Sequence, residues 1–120
     1  MSNLTEIKSH HYYPYKTSID YEFYHPYPST RPQKKFMVLT NQHGKIRWIH
    51  FGDSKYEHYT EGHLDEKRRS NYIHRNEDRD KARNDFNTAG FWALHYLWMY
   101  KTYKQAYEHI RKMILKKTLK

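Results

Sequence analysis

The sequence predicts a small α+β fold: an N-terminal extended arm, then one β-hairpin packed on about three helices, the penultimate of them buried. Three observations predict it. Residues 87–100 read Asn-Thr-Ala-Gly-Phe-Trp-Ala-Leu-His-Tyr-Leu-Trp-Met-Tyr and carry no Asp, Glu, Lys or Arg. Residues 35–51 are two runs of β-formers around turn chemistry. Residues 102–117 repeat apolar side chains at spacings of three and four.

Residues 1–34 form the expected arm. Tyr12, Tyr13, Tyr15, Tyr21, Tyr24 and Tyr27 alternate with polar residues. Pro14, Pro26, Pro28 and Pro32 preclude a long helix and favour extended or polyproline-like backbone. Tyrosine offers a stiff apolar surface with one polar end and so suits interfaces. The six tyrosines are the candidate protein-interaction residues of an arm laid on a neighbouring subunit.

Residues 35–120 form the expected single domain. It begins with a hairpin. Phe36-Met37-Val38-Leu39 and Ile46-Arg47-Trp48-Ile49-His50-Phe51 flank Asn41-Gln42-His43-Gly44, where Gly44 is free to take positive φ. Phe36 and Val38 share one face of the ribbon, Met37 and Leu39 the other. Both faces therefore need cover, the first from the buried helix. Residues 52–62 are a connection that Tyr56 and Tyr59 can pin.

A middle helix runs from Leu64 to about Asp80. Asp65 and Glu66 suit its first turn, Asp65 pairs with Arg69 at i,i+4, and Tyr72 and Ile73 are its apolar contacts. Residues 77–85 are a charged break. The uncharged stretch follows as a short helix started by Asn87 or Thr88. A helix apolar nearly all round is a core helix or a membrane span, and about fourteen residues is too short to span. Phe91, Trp92, Leu94, Leu97 and Trp98 should supply most of the core, with both indoles against Trp48 or Phe36. In the last helix Thr102 is the N-cap of a capping box closed by Gln105. Its apolar stripe is Tyr103, Ala106, Tyr107, Ile110, Met113 and Ile114.

Hydrophobic residues make up 37% of the 120 and aromatics 18%, with thirteen tyrosines, so aliphatics are scarce. A thin aliphatic core of this kind completes its burial against partners. The absence of cysteine excludes a disulfide framework, thiolate catalysis and Cys-ligated zinc. The N-terminus lacks the apolar core of a secretory signal. The net charge is +9, and it is unevenly placed: +1 over residues 1–34, +3 over 35–51, −1 over 52–86, zero over 87–100 and +6 over 101–120. Lys67-Arg68-Arg69 lies among Asp65, Glu66, Glu77 and Asp78, which predicts internal ion pairing there. Lys104, Arg111, Lys112, Lys116, Lys117 and Lys120 are the candidate nucleic-acid contacts.

From His50 to Trp98 the chain resembles a domain family of unknown function found in nucleocytoplasmic large DNA viruses. The matching residues are His50-Phe51-Gly52, Tyr56, Tyr59-Thr60, His63, Asp65, Arg68-Arg69, Tyr72, Arg75, Thr88-Ala89-Gly90-Phe91-Trp92 and Leu97-Trp98. The resemblance implies a viral origin and a virion component; it supplies no activity.

The residues do not describe an enzyme. His58, His63, Asp65 and His74 are near one another in sequence, and a hairpin followed by a helix outlines a metal nuclease. No pair of His ligands stands with a second pair at zinc-like spacing, however, so no metal is expected. There is no glycine-rich phosphate loop and no nucleophile elbow. His95 reads as a core histidine satisfied by a neighbour. Catalytic residues and cofactors are thus expected to be none. The expected function is a minor capsid or cement protein of a large double-stranded DNA virus, partnered by other virion or capsid proteins. The alternative is a virion DNA-binding or packaging protein acting on double-stranded DNA through the last helix. Either would reside in the virion, and in the host cytoplasm or viral factory before assembly.

Overall fold

The structure, a computed structural model, describes residues 21–118; of the Glu61 side chain nothing is described. The architecture is α+β. A three-stranded antiparallel sheet, in the order β1 (Tyr27–Pro28), β2 (Lys34–Gln42), β3 (Lys45–Asp53), is followed by a π-helical turn at Tyr59–His63. Four helices complete it: α1 (Glu66–Arg75), α2 (Asp80–Asn84), α3 (Ala89–Leu97) and α4 (Tyr103–Thr118).

The β2–β3 hairpin has the expected site and alternation. Gln42 pairs with Lys45, which leaves His43 and Gly44 as a two-residue turn. Both have positive φ, 55° and 86°, the pattern of a type I′ turn whose twist matches that of the strands. Gly44 N–H donates to the Asn41 side-chain oxygen at 3.0 Å.

The sheet carries a core on each face. Val38, Ile49 and Phe51 pack with Phe91, Trp92, Tyr96 and Leu97 of α3 and with Ala106 and Ile110 of α4. This makes α3 the buried centre, as the uncharged stretch predicts. Phenol burial pushes the Tyr96 pKa up to about 12. Across the sheet, Met37 and Leu39 pack with Tyr21 and with the half-buried Phe23, Tyr27, Ile46 and Trp48.

That second core corrects the expected arm. Residues 21–34 lie on their own sheet. Tyr27 pairs with Met37 in β1–β2. Tyr21 is buried, with its ring edge-on to Trp48 at 5.0 Å. Tyr24 reaches across to α3's N-terminal side, where its hydroxyl donates to the Asn87 side-chain oxygen at 2.6 Å. The physical reason is the two-sided ribbon: Met37, Leu39 and Trp48 must be taken out of water, and the preceding tyrosines are the nearest apolar surface. Tyr21, Tyr24 and Tyr27 are therefore intramolecular contacts. The domain thus includes residues 21–34 rather than beginning at 35. Tyr12, Tyr13 and Tyr15 lie outside the described residues.

The helices depart from expectation in detail. The middle helix is shorter, and the charged break holds the one-turn α2, seated on Ala82. Asp65 does not pair with Arg69. It is the N-cap of α1, accepting from Lys67 and Arg68 N–H. The ion pair of Arg69 is with Glu66, at 3.5 Å. Helix α3 starts as read: the Thr88 hydroxyl accepts from Phe91 N–H. It stops at Leu97, three residues early. Trp92 is fully buried against Phe51, Phe91 and Tyr96, with its indole N–H on the Phe86 carbonyl at 2.9 Å. Trp98 packs on Tyr72 of α1. Neither indole meets Trp48, which belongs to the opposite face, and Phe36 instead contacts Phe51, Tyr96 and Tyr103. In α4, Thr102 caps as expected by accepting from Gln105 N–H, and Ala106 and Ile110 of its stripe are fully buried. No helix among the described residues is long and apolar enough to cross a membrane.

Candidate functional site

Three separate parts of the chain meet at a cavity of about 620 Å³. The first part is the end of β3. Gly52 has φ +83°, and a Cβ there would lie 3.0 Å from Leu97 Cδ1 and 3.3 Å from Lys35 Cβ. Only glycine lets the strand turn while pressed this closely on α3. The chain then passes through Asp53 to Tyr56 and His58, both of which line the cavity. Tyr56 is 61% exposed, whereas His58 is buried. Tyr59, not Tyr56, is the residue that pins this connection, being almost wholly buried. Lys35 Nζ lies 2.8 Å from His58 Nδ1 and also donates to the Tyr56 carbonyl. An ammonium has only donors, so His58 Nδ1 is the acceptor and its proton sits on Nε2.

The second part is α1. Arg68, Asn71, Tyr72 and Arg75 all line the cavity. Their spacing of three, four and seven places them on one helical face. The Asp65 cap fixes where that face starts. Helix α1 buries no residue of its own, so its position is set from outside. Arg69, on the adjacent face, donates through Nε and Nη2 to the Met99 carbonyl at 3.2 and 2.7 Å. Thr60 donates to the neighbouring Tyr100 carbonyl at 2.6 Å. These carbonyls follow the C-terminus of α3, where backbone acceptors lack helical partners. Satisfying them ties α1 and the π-turn to the third part, Trp98 and Ala93.

The cavity wall is aromatic and its rim cationic. Tyr72 and Trp98 stack with centroids 4.4 Å apart and planes 6° from parallel. The Arg75 guanidinium lies over the Tyr72 ring, 5.7 Å from its centroid. Burial raises the Tyr72 pKa, opposed by the nearby charges of Arg75 and Arg79, so the phenol is neutral at physiological pH. Arg68 is exposed on α1, and among the described residues no carboxylate pairs with it. The acidic lining residue is Asp53, and its Oδ1 already accepts from Lys55 N–H at 2.9 Å. Two guanidiniums against one carboxylate favour an anion.

The charged middle helix is thus only partly self-neutralised: Arg69 finds Glu66, while Arg68 faces the cavity. His63 is a packing residue, with Nδ1 accepting from Asp65 N–H at 2.9 Å and its ring 5.4 Å from Trp98. His74 makes a surface pair with Glu77 at 2.9 Å. Among the described residues no three His, Asp or Glu side chains are placed to hold a metal.

The candidate nucleic-acid contacts are not equivalent. Lys104, Arg111, Lys112 and Lys116 are exposed along α4. Arg111 also lies over the Tyr107 ring. Lys117 points the other way, donating to the Asn84 carbonyl with its ammonium over Phe86. It belongs to the packing of α4 on the α2–α3 corner. Lys120 lies outside the described residues. His95 is buried in the core as the sequence suggests but only half satisfied: Nε2–H donates to the Arg83 carbonyl at 3.0 Å, while Nδ1 is buried with no hydrogen-bond partner among the described residues.

Residues 25–76 match a family of unknown function, DUF5754. The match takes in 52 of 120 residues, from the start of the sheet to the end of α1. It holds eight of the ten residues that line the cavity, all but Ala93 and Trp98. No curated protein and no solved structure matches the chain. Sequence reasoning had every one of Gly52, Tyr56, Arg68, Tyr72, Arg75 and Trp98 in hand as parts of a resemblance. It missed that they line one space. The available signal was the spacing of Arg68, Tyr72 and Arg75 on a single helical face.

Proposed function

We propose that the protein is a non-enzymatic DNA-binding protein of a large double-stranded DNA virus, acting through the exposed side of α4. The observation that carries this reading is that Lys104, Arg111, Lys112 and Lys116 are all exposed, with no acidic side chain among the described residues paired to them. Contacts of this kind hold phosphates without reading sequence. The viral setting is supported by the resemblance of residues 50–98, and with it the reading puts the protein's work in the virion, or in the cytoplasm or viral factory before assembly. The test is binding of the full chain to a random-sequence duplex at several salt concentrations. Four phosphate contacts give a log–log slope near −3.6, or about a hundredfold loss between 50 and 200 mM salt. Replacing the four residues with Gln should remove that dependence. Salt-insensitive binding, or binding unchanged in the fourfold variant, overturns the reading.

The minor capsid or cement reading stands second. It rests on the sequence pattern of Tyr12, Tyr13 and Tyr15, which lie outside the described residues. It loses ground because Tyr21, Tyr24 and Tyr27 already have intramolecular partners. A chain beginning at Tyr21 that fails to enter particles while still binding DNA would restore it.

A further inference from the structure

We propose that the cavity between β3, α1 and the end of α3 binds a nucleoside phosphate unit, its base against the aromatic wall and its phosphate on Arg68 and Arg75. This site is separate from α4 and does not require that helix to bind DNA. The volume of about 620 Å³ lies within the range of roughly 300–1,000 Å³ usual for small-molecule sites. Tyr72 and Trp98 stack on each other and so brace the wall rather than offer a shared flat face, and the ring left open to a base is that of Tyr56. Tyr56, the most exposed large aromatic of the domain, lines the same space from another part of the chain and is free to close on a planar ring. Base–aromatic stacking tolerates any base, since each has a π-face.

The polar groups match the rest of such a ligand. Arg68 and Arg75 stand two turns apart on α1, with no carboxylate among the described residues paired to either, and guanidinium suits phosphate geometry. Asn71, between them, is exposed and presents an amide that can donate and accept at a base edge. The Asp53 carboxylate at the rim disfavours a second phosphate close by, so a monophosphate fits better than a polyphosphate. The same chemistry comes either as a free nucleotide or as an unpaired nucleotide within a strand. A base paired in duplex is stacked and cannot enter.

The experiment titrates the full chain with adenosine, adenosine monophosphate, inorganic phosphate, oligothymidylate, a duplex and phosphotyrosine. Readouts are tryptophan fluorescence and calorimetry. The nucleotide is expected to bind at least tenfold more tightly than adenosine or phosphate. Arg68→Gln and Arg75→Gln should each weaken it at least tenfold, and Tyr56→Ala severalfold. All three residues are exposed, so folding is retained, which circular dichroism verifies. Replacing Lys112 and Lys116 with Gln should leave it unchanged. Competition by oligothymidylate identifies a strand as the source, and its absence a free nucleotide; both support the site. Equal affinity for adenosine and its monophosphate overturns the role of the arginines. Preference for phosphotyrosine, or no nucleotide binding, overturns the proposal.

Discussion

Tyr72 of α1 and Trp98, the residue that follows α3, lie face to face, 4.4 Å apart and 6° from parallel. This stack is the main apolar attachment of α1, which has no fully buried residue. Tyr72→Leu keeps most of the buried area but removes the stack, and should cost about 0.5–1.5 kcal/mol beyond the change in area. Trp98→Ala and Trp92→Ala should each cost about 3–5 kcal/mol. Urea unfolding measures all three. A Trp98→Ala variant as stable as the parent would remove the stack from the account of how α1 is held.

The two positive-φ glycines should respond differently to alanine. Gly44 has open space around it, so Gly44→Ala meets only the left-handed backbone cost of about 1–2 kcal/mol. Gly52→Ala meets that cost and the collision with Leu97 and Lys35, and overpacking adds about 1–3 kcal/mol. Thermal melts of the two single variants should rank Gly52→Ala clearly below Gly44→Ala. The reverse order would mean that β3 does not press on α3 as described.

His95 predicts a pH dependence. Burial lowers its folded pKa, and the charges of Arg83 and Lys117 act the same way against the opposing bond to the Arg83 carbonyl. The unfolded chain therefore takes up a proton first, near pH 6.5. Stability is full above that pH and falls as pH drops toward the folded pKa, below which this group contributes no further loss. Denaturant melts between pH 5 and 8 should show a shallower slope in His95→Gln, which does not titrate. Some slope will remain, because His50 is lowered in the same direction by burial and by Arg31 and Lys34.

Truncation should locate the edge of the domain. A chain starting at Tyr21 keeps the described contacts of the second core. A chain starting at residue 31 loses Tyr21, Phe23 and Tyr27 from Met37, Leu39 and Trp48, and Tyr24 from Phe86 and Asn87. Each buried aromatic contributes about 1.5–3 kcal/mol, so this second chain should be several kcal/mol less stable. Equal urea midpoints for the two chains would return residues 21–30 to the status of a detachable arm.

Where the sequence was legible, one local signal decided the outcome. His43-Gly44 could only turn, Thr88 and Thr102 could cap, and a run with no charge from 87 to 100 could only be buried. The misreadings occurred where two local solutions compete. Asp65 can pair with Arg69 or cap a helix, and the cap satisfies two backbone N–H groups at once. Helix α2 has a single buried residue, Ala82, and so no periodicity to read. Of the alternating tyrosines expected to be extended, Tyr27 lies in a strand but Tyr24 turns through a φ of 58°, and nothing in their own pattern states what such a segment lies against. The cavity was hidden for the same reason: its lining comes from three segments whose adjacency is set by Arg69 and Thr60 reaching backbone carbonyls after α3.

A sheet with a core on each face also has a history in time. The residues that cover one face, 21–28, precede the hairpin in the chain, so that side can close as soon as Asp53 leaves the ribosome. The other side waits for Phe91 to Ile110. At about 5–20 residues per second that interval is roughly 3–11 s. For those seconds the nascent chain carries a half-finished sheet with Val38, Ile49 and Phe51 bare, and this is the window in which a chaperone, or another copy of the chain, would meet it.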